Sequence, residues 1–402
     1  MAMWLTRPET RCRIVCAPAL ITVIARHSLT PRTRFLKMRS PRSLALLCVL
    51  LVSCTGTGAD TPASNDTGSP ILQRSWSVGG SADTALGFTS LSVHDVALDA
   101  QHRVLLIDRD NHRILVLSAD GVLLGTWGRA GEGPGELQFP LVVATAPDST
   151  THVYDSGRRK IIVYGADGAL RDEQIVQPRR PFRFRFLPDR SVVGSNHNYA
   201  DSSRLWRDSS GVRTPLTALV RPATRSTPPV CRTSDYPVEP IFSPTLAWDA
   251  RDALVASSTG DFAITVYEGG AAPRVLRRDT VRRRTSRELA ARMLGDGPTI
   301  QMQGMKPCTV PAEMVLAVAE IAPEIPAYDA LIIDAKGLIW ATRVALPDEP
   351  ALADLFDGQT GFVETVPLGS ARPVAFLHDG RMVSIERDRD DVPMLVVYTI
   401  AR

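Results

Sequence analysis

The densest group of chemistry-capable side chains is Asp108-Arg109-Asp110-Asn111-His112-Arg113, and an aspartate recurs at Asp155, 47 residues beyond Asp108. Carboxylate, amide and imidazole so close together could serve as acid, base or ligand. The same residue types also close turns, because aspartate and arginine pair within or between neighbouring elements. A second motif, Gly131-x-Gly133-x-Gly135, has the look of a phosphate loop. Such a loop needs a strand before it and a helix after it. Here Pro140 and the strand-like run Leu141-Val142-Val143 follow, so the glycines are expected to form a connector. Of the histidines, His94, His102, His112, His152, His197 and His378 lie in the globular part, and none has His-x-x-x-His spacing. No metal ligands are assigned on this basis, and no cofactor is expected. No Gly-x-Ser-x-Gly elbow is present, and no catalytic residue is assigned.

The elements that must position these residues are short strands. Val96-Ala97-Leu98-Asp99, residues 104–107, Ile114-Leu115-Val116-Leu117 and residues 122–127 are separated by turn signals. Asp120-Gly121 is a tight hairpin signal, because glycine supplies the positive φ such a turn needs. The order recurs with Val153-Tyr154, residues 161–164 and Asp167-Gly168, at the same offset of 47 residues. A period in the forties suits one four-stranded propeller blade.

The stretch Asp108 to Ile114 and the connector Trp127-Gly128-Arg129-Ala130-Gly131-Glu132-Gly133-Pro134-Gly135-Glu136-Leu137-Gln138-Phe139-Pro140 resemble the NHL-repeat family. The resemblance covers about two blades. It implies that Asp108, Asn111, His112, Arg113 and Asp155 are structural, since their positions recur in propellers of unrelated purpose. Beyond the two blades only strand rhythm continues, through residues 182–216, 244–276, 328–366 and 373–400.

The expected fold is therefore all-β: a six-bladed β-propeller over residues 71–402 with a short helical insertion, 277–326, between blades four and five. The last blade lacks an outer strand, and residues 71–78 form a strand with no blade. Pairing the two would close the ring and remove exposed edges. In the insertion, Thr285-Ser286-Arg287-Glu288 has capping-box spacing, Gly295 is a natural stop, and residues 309–322 are a second helical stretch ended by Pro323. Two short helices covering one propeller face are expected. The run Arg277, Arg278, Arg282, Arg283, Arg284 is expected to be a solvated approach to the first helix.

Composition agrees with a packed globular body: 44% hydrophobic and 22% charged residues, with a formal net charge of +3 over 402 residues. So small a charge predicts no nucleic-acid partner. Of six cysteines only Cys231 and Cys308 fall in the folded part. In an oxidising compartment they are candidates for a disulfide, and the alternative is two buried thiols.

Residues 38–54 read as a targeting segment. Arg39 and Arg42 precede an apolar run at 44–52, too short to span a membrane. The run ends Leu51-Val52-Ser53-Cys54, which resembles the bacterial lipobox. That resemblance implies removal of residues 1–53, acylation of Cys54 (palmitate among the chains) and anchoring in the membrane by lipid. Translation starting at Met38 is the simplest account of the long leader. Residues 54–70 are polar and small and should form a disordered tether. Thr55 after the acylated cysteine points to the outer membrane, with the propeller in the periplasm or at the cell surface.

Two functions compete, beside a third reading as a purely structural envelope component. One is an envelope-anchored binding or scaffold module, a monomer engaging a protein or small ligand on one face. The other is a metal-dependent enzyme resembling the lyase or lactone-hydrolase propellers, its metal held at the central channel by residues from several blades. Binding is favoured and the enzyme question stays open, since no catalytic constellation stands out and fold alone decides nothing about function.

Overall fold

In a computed structural model, the described residues are 71–401 apart from 84–85, 87, 89–90, 93–94, 177–182, 199–201, 221–223, 232–235 and 301–307. Cys54, the tether at 55–70 and His94 lie outside the described residues.

Six four-stranded antiparallel sheets follow one another along the chain as the blades of a propeller. Blade one holds Val96–Leu98, Val104–Asp108, Arg113–Leu117 and Leu123–Trp127. Blade two holds Pro140–Thr145, Thr151–Asp155, Lys160–Tyr164 and Leu170–Ile175. Blade three holds Arg183–Phe186, Val192–Asn198, Ser202–Ser209 and Val212–Val220. Blade four holds Ala247–Arg251, Leu254–Ser258, Ala263–Glu268 and Arg274–Arg277. Blade five holds Tyr328–Ile333, Ile339–Arg343, Ala351–Asp357 and Gly361–Gly369. Blade six holds Pro373–Phe376, Met382–Arg387 and Pro393–Ala401, and its outer strand is Ile71–Gly79 from the other end of the chain. Ile71 pairs with Ala401 and Gly79 with Met394, so the ring closes by strand exchange between the ends.

Blade-to-blade packing explains why several strands are apolar on both faces. Side chains alternate across a strand, and in a propeller each face meets a neighbouring blade. In Val104–Asp108, Val104 and Leu106 pack with Val383 and Leu395 of blade six, while Leu105 and Ile107 pack with Val143 and Val153 of blade two. Each fully buried aliphatic side chain there contributes about 1.5–3 kcal/mol. Tryptophans peg the joints. Trp76 of the closing strand lies against Gly121 and donates from Nε1 to the Ala119 carbonyl at 2.9 Å. Trp127 lies against Gly168 in the same way one blade on. Gly121 and Gly168 have φ of +82° and +79°, and a Cβ on either would strike the indole.

The insertion departs from expectation in three respects. The first helix is Arg287–Leu294, but its cap is Ser286, whose Oγ accepts from the Leu289 amide at 3.1 Å. Thr285 is not the cap because its hydroxyl donates instead to the Ala322 carbonyl. The second helix is only Ala312–Val318. Residues beyond it are drawn out into a strap, since the Ile241 amide donates to Glu320 O, the Ala322 amide to Ile241 O and the Ile325 amide to Arg283 O. Of the arginine run, Arg277, Arg282 and Arg284 are exposed as expected, but three members are also paired: half-buried Arg278 binds Asp354, Arg282 binds Glu324, and Arg283 binds Glu349. Asp354 is fully buried and also accepts from Arg343, Thr365 and Tyr328, so it fastens the start of the insertion to blade five. The helices pack around Val238, Val310 and Val315, a small apolar cluster set apart from the cores between blades. Cys231 and Cys308 are disulfide-bonded beside it, with Cα atoms 5.7 Å apart.

Candidate functional site: the central channel

The inner strands of all six blades surround a channel, and at one end it widens into a cavity of about 430 Å3. The cavity lies where the inner strands finish and turn into the second strands. Its apolar walls come from residues such as Ala144, Ala250, Ile332 and Val374, with Phe186 and Phe376. Charged and polar side chains enter it as well, among them Arg185, Asp249, Arg251, Asp252 and His378, so it offers polar anchors beside apolar contact.

An ion-pair cluster forms its inner floor. Arg183 donates to Asp249 at 2.6 Å and also to the Trp248 carbonyl, and it stacks over the Trp248 ring with 4.9 Å to the centroid. Arg185 sits 3.6 Å from the same carboxylate. The second oxygen of Asp249 accepts from the Ile333 amide at 2.9 Å. Asp249 thus ties blades three, four and five together. Burial pushes the Arg183 guanidinium down to about 10, against the pull of Asp249, so it stays charged at neutral pH.

The rim carries the remaining polar groups. His102 and His378 stack, with centroids 4.1 Å apart. Burial holds the His378 imidazole below its ordinary value, and His102 and Arg251 add to this. Arg251 reaches from blade four past blade five to the Phe376 carbonyl at 2.9 Å. Asp99 is consumed by its own turn, accepting from the Gln101 and Arg103 amides and from the Arg103 side chain at 2.6 Å. At the opposite end of the inner strands, Asp329 sits on a bulge of blade five. It is open to water yet crowded by protein, and burial pushes its carboxyl up to about 6 despite the nearby Arg372.

The sequence motif lies elsewhere, at the turns between second and third strands. Asp108 accepts from Asn111 Nδ2 at 3.0 Å and from Arg113 Nε at 2.7 Å. His112 occupies a left-handed turn position with φ of 52°, and its buried Nδ1 has no hydrogen-bond partner among the described residues. Asp155 accepts from the amides of Gln138, Phe139 and Arg158, fixing the connector onto blade two. Arg109 pairs with buried Asp95 at 2.7 Å and donates to the Pro140 carbonyl. Burial raises the Asp95 carboxyl and Arg109 opposes it. The glycines of the connector wrap Glu136: its carboxylate accepts from the Gly133 amide at 2.8 Å and pairs with Arg129 at 2.7 Å. None of Asp108, Asn111, Arg113 or Asp155 is brought to the channel cavity.

Arg183, Arg185, Asp249 and Asp329 were missed in the sequence. The available signal was charge inside inner strands: Arg183 and Arg185 alternate with Phe184 and Phe186, and Asp249 ends an apolar run.

A divalent cation at the channel centre would need several free oxygen or nitrogen donors converging. Asp249 has both oxygens engaged by guanidinium and amide donors, so the residues there do not fit a metal. Among the described residues no three His, Cys, Asp or Glu side chains group closely enough to hold one. Among the same residues, no helix is long and apolar enough to cross a membrane.

No protein-family model matches this sequence, and no curated protein matches it. Solved structures do. A member of the DUF4221 family from Bacteroides vulgatus is similar over 83% of this chain and 99% of its own, at 8% identity and a TM-score of 0.50. An exported protein from Bacteroides fragilis is similar over 83% of this chain and 95% of its own, at 13% identity and a TM-score of 0.44. A streptogramin B lyase is similar over 76% and 78%, at 10% identity and a TM-score of 0.38. At such identities the likeness is one of fold alone, and the fold this chain carries is the six-bladed β-propeller.

Proposed function

We propose that this chain is an envelope protein anchored by lipid on Cys54, whose NHL-like propeller is a binding module that takes a small ligand in the channel-mouth cavity. One observation carries the binding reading. All six blades contribute to the cavity, and the carboxylate at its floor, Asp249, is held by Arg183, Arg185 and the Ile333 amide. A carboxylate so engaged shapes a site and is a poor base or nucleophile. The lipobox-like run ending at Cys54 supports the anchor.

The binding reading is tested by thermal-shift screening of a panel of small polar metabolites against wild type and Arg185→Ala, beside metal analysis of the purified chain. A ligand whose stabilisation is lost in the variant is the expected result. Stoichiometric metal that leaves on chelation together with a lyase or hydrolase activity would replace binding by the enzyme reading. The anchor is tested separately by labelled-palmitate incorporation, which Cys54→Ser should abolish; incorporation that persists removes it.

A further inference from the structure

A second cavity, of about 340 Å3, lies between blade four and the strap that follows the second helix. It is separate from the channel mouth. Its walls are Phe262, Ile325 and prolines including Pro244 and Pro326, and its rim carries Asp261, Arg282, Glu320 and Glu324. The walls are fixed in place. The Ala327 amide donates to Gly260 O at 2.9 Å, joining strap to blade, and Gly260 (φ of +100°) presses so closely on Pro244 that a Cβ would strike it. A preformed apolar pocket of this kind needs little ordering on binding.

The rim is unbalanced in charge. Among the described residues that line it Arg282 is the one cation, and it is already shared between Glu324 at 2.8 Å and Asp261 at 3.6 Å. The Glu320 carboxylate makes no hydrogen bond or ion pair with the described residues. Three carboxylates therefore face one guanidinium. An anion would meet net repulsion, and a neutral apolar molecule would leave the carboxylates unused. A cation with an apolar body satisfies both parts, its charge at the rim and its body against Phe262 and the prolines.

We propose that this cavity is a binding site for small organic cations, amines or quaternary ammonium compounds with an aryl or alkyl body. It stands independently of the channel-mouth reading, because it shares no residue with that cavity.

The test uses three probes of one shape on the full chain: 2-phenylethylammonium, 2-phenylethanol and phenylacetate, titrated at low ionic strength with binding followed by NMR. The expected order is ammonium, then alcohol, then carboxylate, with roughly a fivefold step at each stage, the size of an exposed charge contact. Shifts should map to residues 259–262 and 320–326. The paired substitution of Asp261→Asn with Glu320→Gln, both at exposed positions, should weaken the ammonium toward the alcohol and leave the alcohol unchanged. Equal affinity for ammonium and alcohol, shifts centred on the channel mouth, or no binding of the ammonium at about 10 mM would each overturn the proposal.

Discussion

Arg183 and Asp249 meet at 2.6 Å across the joint of blades three and four, with side chains 7% and 8% exposed. They are 66 residues apart in the chain. Removing one partner of a buried pair leaves the other charged and unsatisfied, whereas replacing both can be nearly neutral. Asp249→Leu should therefore cost about 3–5 kcal/mol in urea unfolding, and adding Arg183→Met should recover most of it. A double variant no more stable than the single would show that Arg185 and Ile333, not Arg183, carry the role of Asp249.

The closing strand should be indispensable. Without Ile71–Gly79, blade six exposes the whole edge of Pro393–Ala401 and loses the Trp76 peg. A chain lacking residues 71–79 should show no cooperative thermal transition. Trp76→Ala alone, at a half-buried site, should cost about 2 kcal/mol, seen as a lower urea midpoint. A stable monomer from the truncated chain would show that closure by this strand is dispensable.

The Cys231–Cys308 bond spans 77 residues, including all of blade four. Loop-closure entropy for such a span is worth up to about 4 kcal/mol. Cys231→Ser with Cys308→Ser should lower the melting temperature. It should also raise amide exchange first in Arg287–Leu294 and Ala312–Val318, whose small cluster leans on the bond. Exchange that rises uniformly over all blades would argue against a local staple.

Asp329 predicts an unusual pH dependence. Its folded carboxyl titrates at about 6, above its ordinary value of 3.8. The unfolded chain then binds fewer protons between these values, so this group's contribution to stability falls as pH rises from about 4 to 6. Asp329→Asn should remove the penalty. It should stabilise the chain by about 1 kcal/mol at pH 8, the figure allowing for screening by solvent at this exposed position, and by nothing below pH 4. Calorimetric melts of both proteins across that range check the sign; a variant gain that grows toward low pH would contradict it.

The repeat was legible because it is local. Asp108 and Asp155, Gly121 and Gly168, and the strands between them lie at one offset within a single stretch of chain, and their alternation and turn glycines are set by backbone geometry. The offset even reappears as contact: Thr145 Oγ1 donates to Leu98 O at 2.5 Å, linking equivalent positions of adjacent blades. The six-blade count and the closing strand were also readable, since an orphan strand and a blade short of one imply each other.

The sites were not legible, and the reason is sequence distance. Arg183, Asp249 and Ile333 converge only because ring closure turns inner strands from separate blades toward one axis. Phe262 and Ile325 line one cavity only because the strap is hydrogen-bonded back to Gly260. The motif that drew attention, Asp108 to Arg113, repeats because every blade must fasten its turns. Local spacing by itself determined the blades and the order of their strands. Which charged side chains end up facing a cavity was decided by tertiary packing, because burial and pairing are properties of neighbours the chain brings from far away.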